Sequence, residues 1–334
     1  MHSELWQPRF VDLREGRQTE LSRAELAENF PDGLVLALGN FDGIHLGHRK
    51  LIETAAERAA TLRHEGKKVL SGIWCFSDSP ADHLFDDPPP HICSTEEKLS
   101  LAARYGAKIA VIADFETLRN LSAQDFVQYI ESECLCHSVV CGFNFRFGKN
   151  GSGNPAFLQN VFGQSASVVD AVTTGDGAAI SSSRIRQLLL SGQIEEANRL
   201  LGHRFAVSGK VTHGKALGRK MGLPTLNLDF FPRALIPKTG IYASICRIGD
   251  KSYPAVTNIG SRPTVEKNAK INCETHILDF DSDLYGEYIE IELCKKLRDE
   301  RRFDTVEELQ IAIENDVINS RNYFAGISAE EDRI

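Results

Sequence analysis

No stretch of about 18 consecutive apolar residues occurs in the chain, which excludes an ordinary membrane-spanning helix. The opening residues, MHSELWQPRF, lack the basic-then-apolar pattern of a secretory signal, so a cytoplasmic protein is expected. An excess of positive charge is missing too: 38 Lys and Arg stand against 46 Asp and Glu, a net charge of −8. DNA and RNA are bound by neutralising phosphates with Lys and Arg, so no nucleic-acid partner is expected, whereas small phosphorylated ligands need only a few local donors. Cysteine is sparse, with 8 in 334 residues, and a chain of this length needs no disulfide staples. Its one cluster, Cys134, Cys136 and Cys141 with His137, lacks the paired spacing of a zinc site, so free thiols are expected. No internal repeat, no low-complexity segment and no sign of an obligatory protein partner is found.

What is present is enough for about two domains at roughly 150 residues each. The first part alternates short apolar runs with helical patterns. LVLAL (Leu34 to Leu38) is a continuous apolar run of the kind buried on both faces of a sheet, and the next helix places Leu51, Ile52, Ala55, Ala56, Ala59 and Leu62 on one face. Further strands are expected at Val69 to Phe76, Lys108 to Ala113, Ser138 to Gly142 and Ser167 to Val172. Between them, Ser94 with Glu97 forms a capping box, and Ser122 opens a helix carrying Phe126, Val127 and Ile130. This alternation predicts an α/β domain, a parallel sheet covered by helices. After about Gly202 strand-like segments follow one another without helices, and Ile289, Ile291 and Leu293 alternate with Glu290 and Glu292. That pattern predicts an antiparallel β-barrel, closed by a terminal helix from about Asp304 with Val306, Leu309 and Ile313 on one face and Ile311 beside them. The expected domains are residues 1–187 and 188–334.

Four segments carry chemistry. Gly39, Asn40, Phe41, Asp42 and Gly43 lead from a buried strand into a helix that opens with His45 and His48, three residues apart. Glycines let backbone amides approach an anion, the helix N-terminus adds partial positive charge, and two imidazoles at this spacing suit the phosphates of a nucleoside triphosphate. The bland reading is a pair of surface histidines in a Gly-rich turn. Ser181, Ser182 and Ser183 precede Arg184, a residue able to grip a triphosphate in bidentate fashion, although such a pattern alone is more often only a helix cap. In the segment from Gly142 to Lys149 the spacing is not that of a phosphate loop, and Phe143, Phe145 and Phe147 suit either core or the wall of a flat heterocycle. Last, Gly214, Lys215, Gly218 and Arg219 form a cationic Gly-rich flap ahead of Thr225 and Asn227, whose oxygens share one side of an extended segment and suit Mg²⁺ alongside phosphate.

Eight segments in order (LALGNFDGIHLGH, CGFNFRFG, ISSSRIR, GKALGRKMGLPTLNL, GIYA, NIGSRPT, ETHILDFDSDLYG and LRDERRF) make the chain resemble the bacterial bifunctional riboflavin kinase/FAD synthetase family over essentially its whole length. The resemblance implies a Rossmann-like N-terminal nucleotidyltransferase domain that adenylylates FMN to FAD, and a C-terminal riboflavin kinase barrel that phosphorylates riboflavin, both using ATP. It implies Thr225 and Asn227 as ligands of Mg²⁺, Glu274 as the base for the riboflavin 5′-hydroxyl, Asn144 near flavin or nucleotide, and Arg298 near the flavin. One departure stands out: where the family usually has Phe-x-Pro-His-Pro, the chain reads Phe76-Ser77-Asp78-Ser79-Pro80. The alternative this raises is a riboflavin kinase whose N-terminal domain transfers adenylyl weakly or only senses nucleotide.

Overall fold

The computed structural model describes residues 7–16, 18–212, 224–261 and 271–326. The chain divides into two compact units, Met1–Ser181 and Ser182–Ile334.

The first unit is built on a seven-stranded sheet. Its strands are β1 (Arg9–Asp12), β2 (Thr19–Leu21), β3 (Leu34–Leu38), β4 (Leu70–Phe76), β5 (Ile109–Ala113), β6 (Cys136–Gly142) and β7 (Ala166–Val169), in the spatial order β2-β1-β5-β4-β3-β6-β7. The five strands from β5 to β7 are parallel, as the strand-helix alternation predicts. The antiparallel edge formed by β1 and β2 was not anticipated, since RFVD and TEL are too short to show a period.

Alternation along the strands splits the core in two. Leu34, Leu36 and Leu38 face a layer that includes Trp74 and Phe126, the latter from α6 (Ala123–Ser132). Val35 and Ala37 face the opposite layer, which contains Leu51, Ile52, Ala55, Ala59 and Leu62 of α2 (Leu46–His64) and Leu99 and Ala102 of α4 (Thr95–Arg104). Ala56, expected on the buried face of α2, is only half-buried. The capping box of Ser94 and Glu97 and the Ser122 cap both form as expected.

The second unit starts with two helices, α8 (Ser182–Ser191) and α9 (Ile194–Leu201), so a boundary between residues 187 and 188 lies within α8. Its sheet is antiparallel throughout. The strands β8 (Phe205–Lys210), β9 (Leu226–Leu228), β10 (Gly240–Ile248), β11 (Lys251–Ser261), β12 (Ile271–Ile277) and β13 (Tyr288–Arg298) lie in the order β8-β13-β10-β11-β12-β9. A bridge from Thr212, just beyond β8, to Asn227 in β9 draws the two edges together toward a barrel.

Burial along β13 follows the predicted alternation at Ile289, Ile291 and Leu293, but Glu292 is buried as well. Arg247 and Arg204 hold it, the latter at 3.4 Å. The terminal helix, α10 (Val306–Gly326), turns the expected face inward at Leu309 and Ile313, both half-buried, and that face continues through residues with polar side chains. Val306 and Ile311 are exposed, while Ala312, Asp316 and Ser320 are buried. Polar contacts account for the last two: Asp316 accepts two bonds from Arg298, at 2.8 and 2.7 Å, and the Ser320 hydroxyl donates to the Ala255 carbonyl at 3.0 Å. All eight cysteines are buried and free.

Candidate active sites

In the first unit the chain runs from β3 to β4 and β5 on one side, then crosses to β6 on the other. The gap between the carboxyl ends of β3 and β6 is therefore the topological switch point, where open α/β sheets bind ligands. The two loops that leave these ends hold Gly39 to His45 and Gly142 to Asn144.

The first of these loops is held in an unusual shape. Phe41 and Ile44 adopt left-handed backbone conformations, with φ of 55° and 33°, while both side chains are fully buried. Non-glycine residues take this region at a cost, which surrounding contacts must override. Asp42 is central to that hold. Its buried carboxylate accepts from the amides of Ile92 at 2.9 Å and Cys93 at 3.4 Å, and the Gly43 amide donates to the Cys93 sulfur at 3.1 Å. Gly43 has φ of 79°, and a Cβ there would lie 2.8 Å from Ile92, so glycine is required. Asn40 donates to the Ser79 hydroxyl at 3.3 Å, which ties the departing segment Phe76 to Pro80 to this same loop, and its own Oδ1 is buried without a partner.

His45 is the N-cap of α2. Its Nδ1 accepts the His48 backbone amide at 3.2 Å, so in the neutral ring Nε2 carries the proton. The His48 ring stacks on it, with centroids 3.7 Å apart and planes 12° apart. Burial, followed by repulsion from His45 and Lys98, pushes the His48 imidazole well below its ordinary pKa. A Cβ on Gly47 would meet the His45 ring at 3.1 Å and the Ile180 carbonyl at 4.0 Å, so the chain entering the serine cluster passes beside the histidine turn.

Ser181 ends the first unit. Ser182, Ser183 and Arg184 open α8 in the second, where the Arg184 guanidinium lies 4.0 Å from Glu196 of α9. The aromatics after β6 divide between the two readings: Phe147 is core, 5.0 Å from the Phe126 ring, Phe145 is half-buried, and Phe143 is exposed beside the exposed Asn144.

In the second unit the site is made by strand register. Asn227 of β9 lies directly opposite Glu274 of β12, which lies opposite Asn258 of β11, so all three side chains share one face. The Thr225 hydroxyl donates to Glu274 Oε1 at 2.7 Å, Asn272 donates to Asn227 Oδ1 at 2.8 Å, and His276 contacts the Pro224 carbonyl at 2.8 Å. Asn258 Oδ1 is buried with no hydrogen-bond partner. A hydroxyl, two amide oxygens and a carboxylate are the hard donors that Mg²⁺ accepts together with phosphate oxygens, and the unmatched Asn258 oxygen fits a face made to receive a donor or cation.

Gly214, Lys215, Gly218 and Arg219 lie outside the described residues. Arg298 donates to both carboxylate oxygens of Asp316 of α10, a strut between strand and helix. Two residues went unremarked in the sequence. Asn258 looks like any strand polar residue until register sets it beside Glu274, and Lys98 looks like an ordinary solvated helix lysine until its burial is seen.

Comparison with known proteins agrees with this division. A family model described as FAD synthetase matches residues 27–184, and one described as riboflavin kinase matches residues 201–324. Among curated relatives, the bifunctional riboflavin kinase/FMN adenylyltransferase of Pseudomonas fluorescens is 35% identical, over 86% of this chain and 92% of its own. The enzyme of the same name from Escherichia coli K12 is 36% identical, over 88% and 93%, and that of Bacillus subtilis 34%, over the same shares. A crystal structure from Streptococcus pneumoniae described as a macrolide-efflux protein superposes with a TM-score of 0.77 at 31% identity, covering 87% of this chain and 94% of that one. Among the described residues no helix is long and apolar enough to cross a membrane. With both family models matched in order and full-length relatives above 30% identity, the chain belongs to the bifunctional riboflavin kinase/FMN adenylyltransferase family.

Proposed function

We propose that the protein converts riboflavin to FMN and FMN to FAD, each with ATP as co-substrate, using two separate sites. The observation that carries this reading is that each unit holds one polar constellation suited to one of the two steps. Residues 1–187 are assigned the adenylyl transfer and residues 188–334 the phosphorylation.

In the kinase step the riboflavin 5′-hydroxyl attacks the γ-phosphorus of ATP and ADP leaves. A primary alcohol is a poor nucleophile at neutral pH, and Glu274 is the group assigned to take its proton. Thr225 donates its hydroxyl hydrogen to Glu274, which fixes the carboxylate and leaves the Thr225 lone pairs for a cation. Asn272 orients Asn227 in the same way. Mg²⁺ bound at Thr225 and Asn227 would offset the negative charge of the phosphates. The flap residues Gly214, Lys215, Gly218 and Arg219 are assigned to the ATP phosphates on the family resemblance.

The adenylyl step needs no base, because the FMN phosphate is already anionic. Its oxygen attacks the α-phosphorus in line as the bond to the β-phosphate breaks and pyrophosphate leaves. Catalysis is then positioning and charge stabilisation. His45 offers a fixed Nε2–H donor, His48 stays neutral, and the amides of Gly39 to Gly43 with the α2 N-terminus receive phosphate oxygens. Ser181, Ser182, Ser183 and Arg184 are assigned to the nucleotide and Asn144 to the flavin. The reading places the enzyme in the cytoplasm, where thiols stay reduced.

Incubation of the purified protein with riboflavin, ATP and Mg²⁺, followed by chromatographic separation of riboflavin, FMN and FAD, tests the proposal. Both products are expected. FMN without FAD would replace it with the kinase-only alternative that the Phe76 to Pro80 segment raises, and neither product would defeat it.

A further inference from the structure

Lys98 is 7% exposed, and lysines are almost never buried to this degree unless paired. Among the described residues no carboxylate lies within ion-pair distance of its ammonium group, and that group makes no hydrogen bond. It stands four residues after the Ser94 cap, near the positive end of α4, where a cation is further disfavoured. The ammonium group thus stands in a nearly dry position with no ion pair or hydrogen bond from the described residues to answer it.

Its location gives the reason. The segment just before α4 is fastened to the histidine loop through the Ile92 and Cys93 amides on Asp42, the Gly43 amide on Cys93, and the close fit of Gly43 against Ile92. The helix thus begins against the Asp42–Gly43 turn, and Lys98 lies one turn further in. Its charge is felt at His48, at Cys93 and at Cys75 near the carboxyl end of β4. The neighbouring negative group, Asp42, is already held by two backbone amides. Burial holds His48 neutral, so that imidazole brings no full positive charge to a reaction among phosphates.

We infer that Lys98 is a phosphate-binding residue of the adenylyl-transfer site, its ammonium group meeting an anionic phosphate oxygen of the bound substrates. The inference rests on the adenylyltransferase reading of the first unit. The ligand chemistry is a phosphate anion, which ATP and FMN both present. A buried charge without a partner is a liability to stability that a ligand phosphate would complete, so function and stability are set against each other at this one residue.

That opposition makes the test. Full-length protein carrying Lys98→Met, similar in length and without charge, is compared with wild type for FAD synthesis, FMN synthesis and thermal midpoint. FAD synthesis is expected to fall about 10²-fold, the scale for losing one preorganised donor, with FMN synthesis unchanged and the midpoint equal or higher. Equilibrium binding distinguishes the source: weaker binding of a non-hydrolysable ATP analogue assigns the contact to the triphosphate, and weaker binding of FMN alone assigns it to the flavin phosphate. Lys98→Arg is expected to restore part of the FAD synthesis. Activity within about twofold of wild type in Lys98→Met overturns the inference while leaving the adenylyltransferase reading intact. Loss of activity together with a lowered midpoint and unchanged binding of both ligands overturns it in favour of a structural lysine. Absence of FAD synthesis in wild type sinks the reading and the inference with it.

Discussion

The two units build their sites in opposite ways. In the first, one contiguous stretch from Gly39 to His48 supplies a cap, a stacked imidazole pair and a loop held by Asp42, all at the end of one buried strand. In the second, Thr225 and Asn227 become a site only when β9 pairs with β12, which brings in Glu274 from far along the chain, and β11 adds Asn258. The chemistry differs in parallel. The first site holds neutral donors for a nucleophile that is already charged, whereas the second holds a carboxylate for a nucleophile that must lose a proton. A local motif thus serves where charge has only to be stabilised, and cross-strand register serves where a base, an amide and a hydroxyl must meet at fixed spacing.

The sharpest way to break this contrast is Glu274→Gln. It keeps the Thr225 contact in shape but removes the base, so FMN formation is expected to fall about 10²–10⁴-fold while FMN-to-FAD conversion continues at the wild-type rate. A variant that still makes FMN at a tenth of the wild-type rate would show that the proton goes elsewhere. The matching changes in the first unit are smaller. His45→Ala and His48→Ala are each expected to lower FAD synthesis about 10²-fold, roughly 3 kcal/mol of transition-state stabilisation, with FMN formation within about twofold of wild type. The loss should lie in kcat if the imidazoles bind the transition state more tightly than ATP, and a pure rise in KM would mean that they hold only the ground-state triphosphate.

The contrast also predicts separability. Asn198 of α9 donates to the Leu293 carbonyl of β13 at 2.8 Å and accepts from the Phe205 amide at 2.8 Å, so the helices that open the second unit are tied to its sheet. A fragment of residues 182–334 is expected to phosphorylate riboflavin within a few-fold of the full chain, and a shorter one of residues 193–334 less well because it lacks α8. An insoluble or inactive longer fragment would show that the kinase depends on the first unit.

Much of this was legible because it is local. The run LVLAL is a strand buried on both faces, the spacing of Leu51, Ile52, Ala55, Ala59 and Leu62 is a helix face, and the histidine loop follows directly from the strand before it. What escaped depends on partners distant in sequence. Asp316 and Ser320 are buried on the inner face of α10 because Arg298 and the Ala255 carbonyl receive them, which no apolar period could announce. Glu292 is buried for the same kind of reason. Lys98 carries no signal in its own segment, since a helix lysine is ordinary until packing removes its water, and Asn258 stands in the NIGSRPT segment with nothing local to give it a role.

The smallest effect is one of pH on stability, and it belongs to the first unit. Burial, with His45 and Lys98 adding to it, holds His48 neutral well below its ordinary pKa of 6.5. In the unfolded chain the same imidazole takes up its proton near pH 6.5. Between that pH and the depressed folded value the unfolded state binds more protons, so stability rises with pH across this window. The contribution is complete above about pH 6.5 and is lost as pH falls toward the folded pKa, with a slope of at most about 1.4 kcal/mol per pH unit. Trp74 is buried in the core of the first unit and the sequence from residue 182 onward holds no tryptophan, so urea unfolding followed by tryptophan fluorescence does not report the second unit. Between pH 7.5 and 5.5 the wild-type transition is expected to move to lower urea, and His48→Gln is expected to flatten that movement by removing the titrating group. An equal pH dependence in the two proteins would mean that His48 exchanges its proton as freely in the folded chain as in the unfolded one, and the neutral imidazole assigned to the adenylyl step would have to be given up.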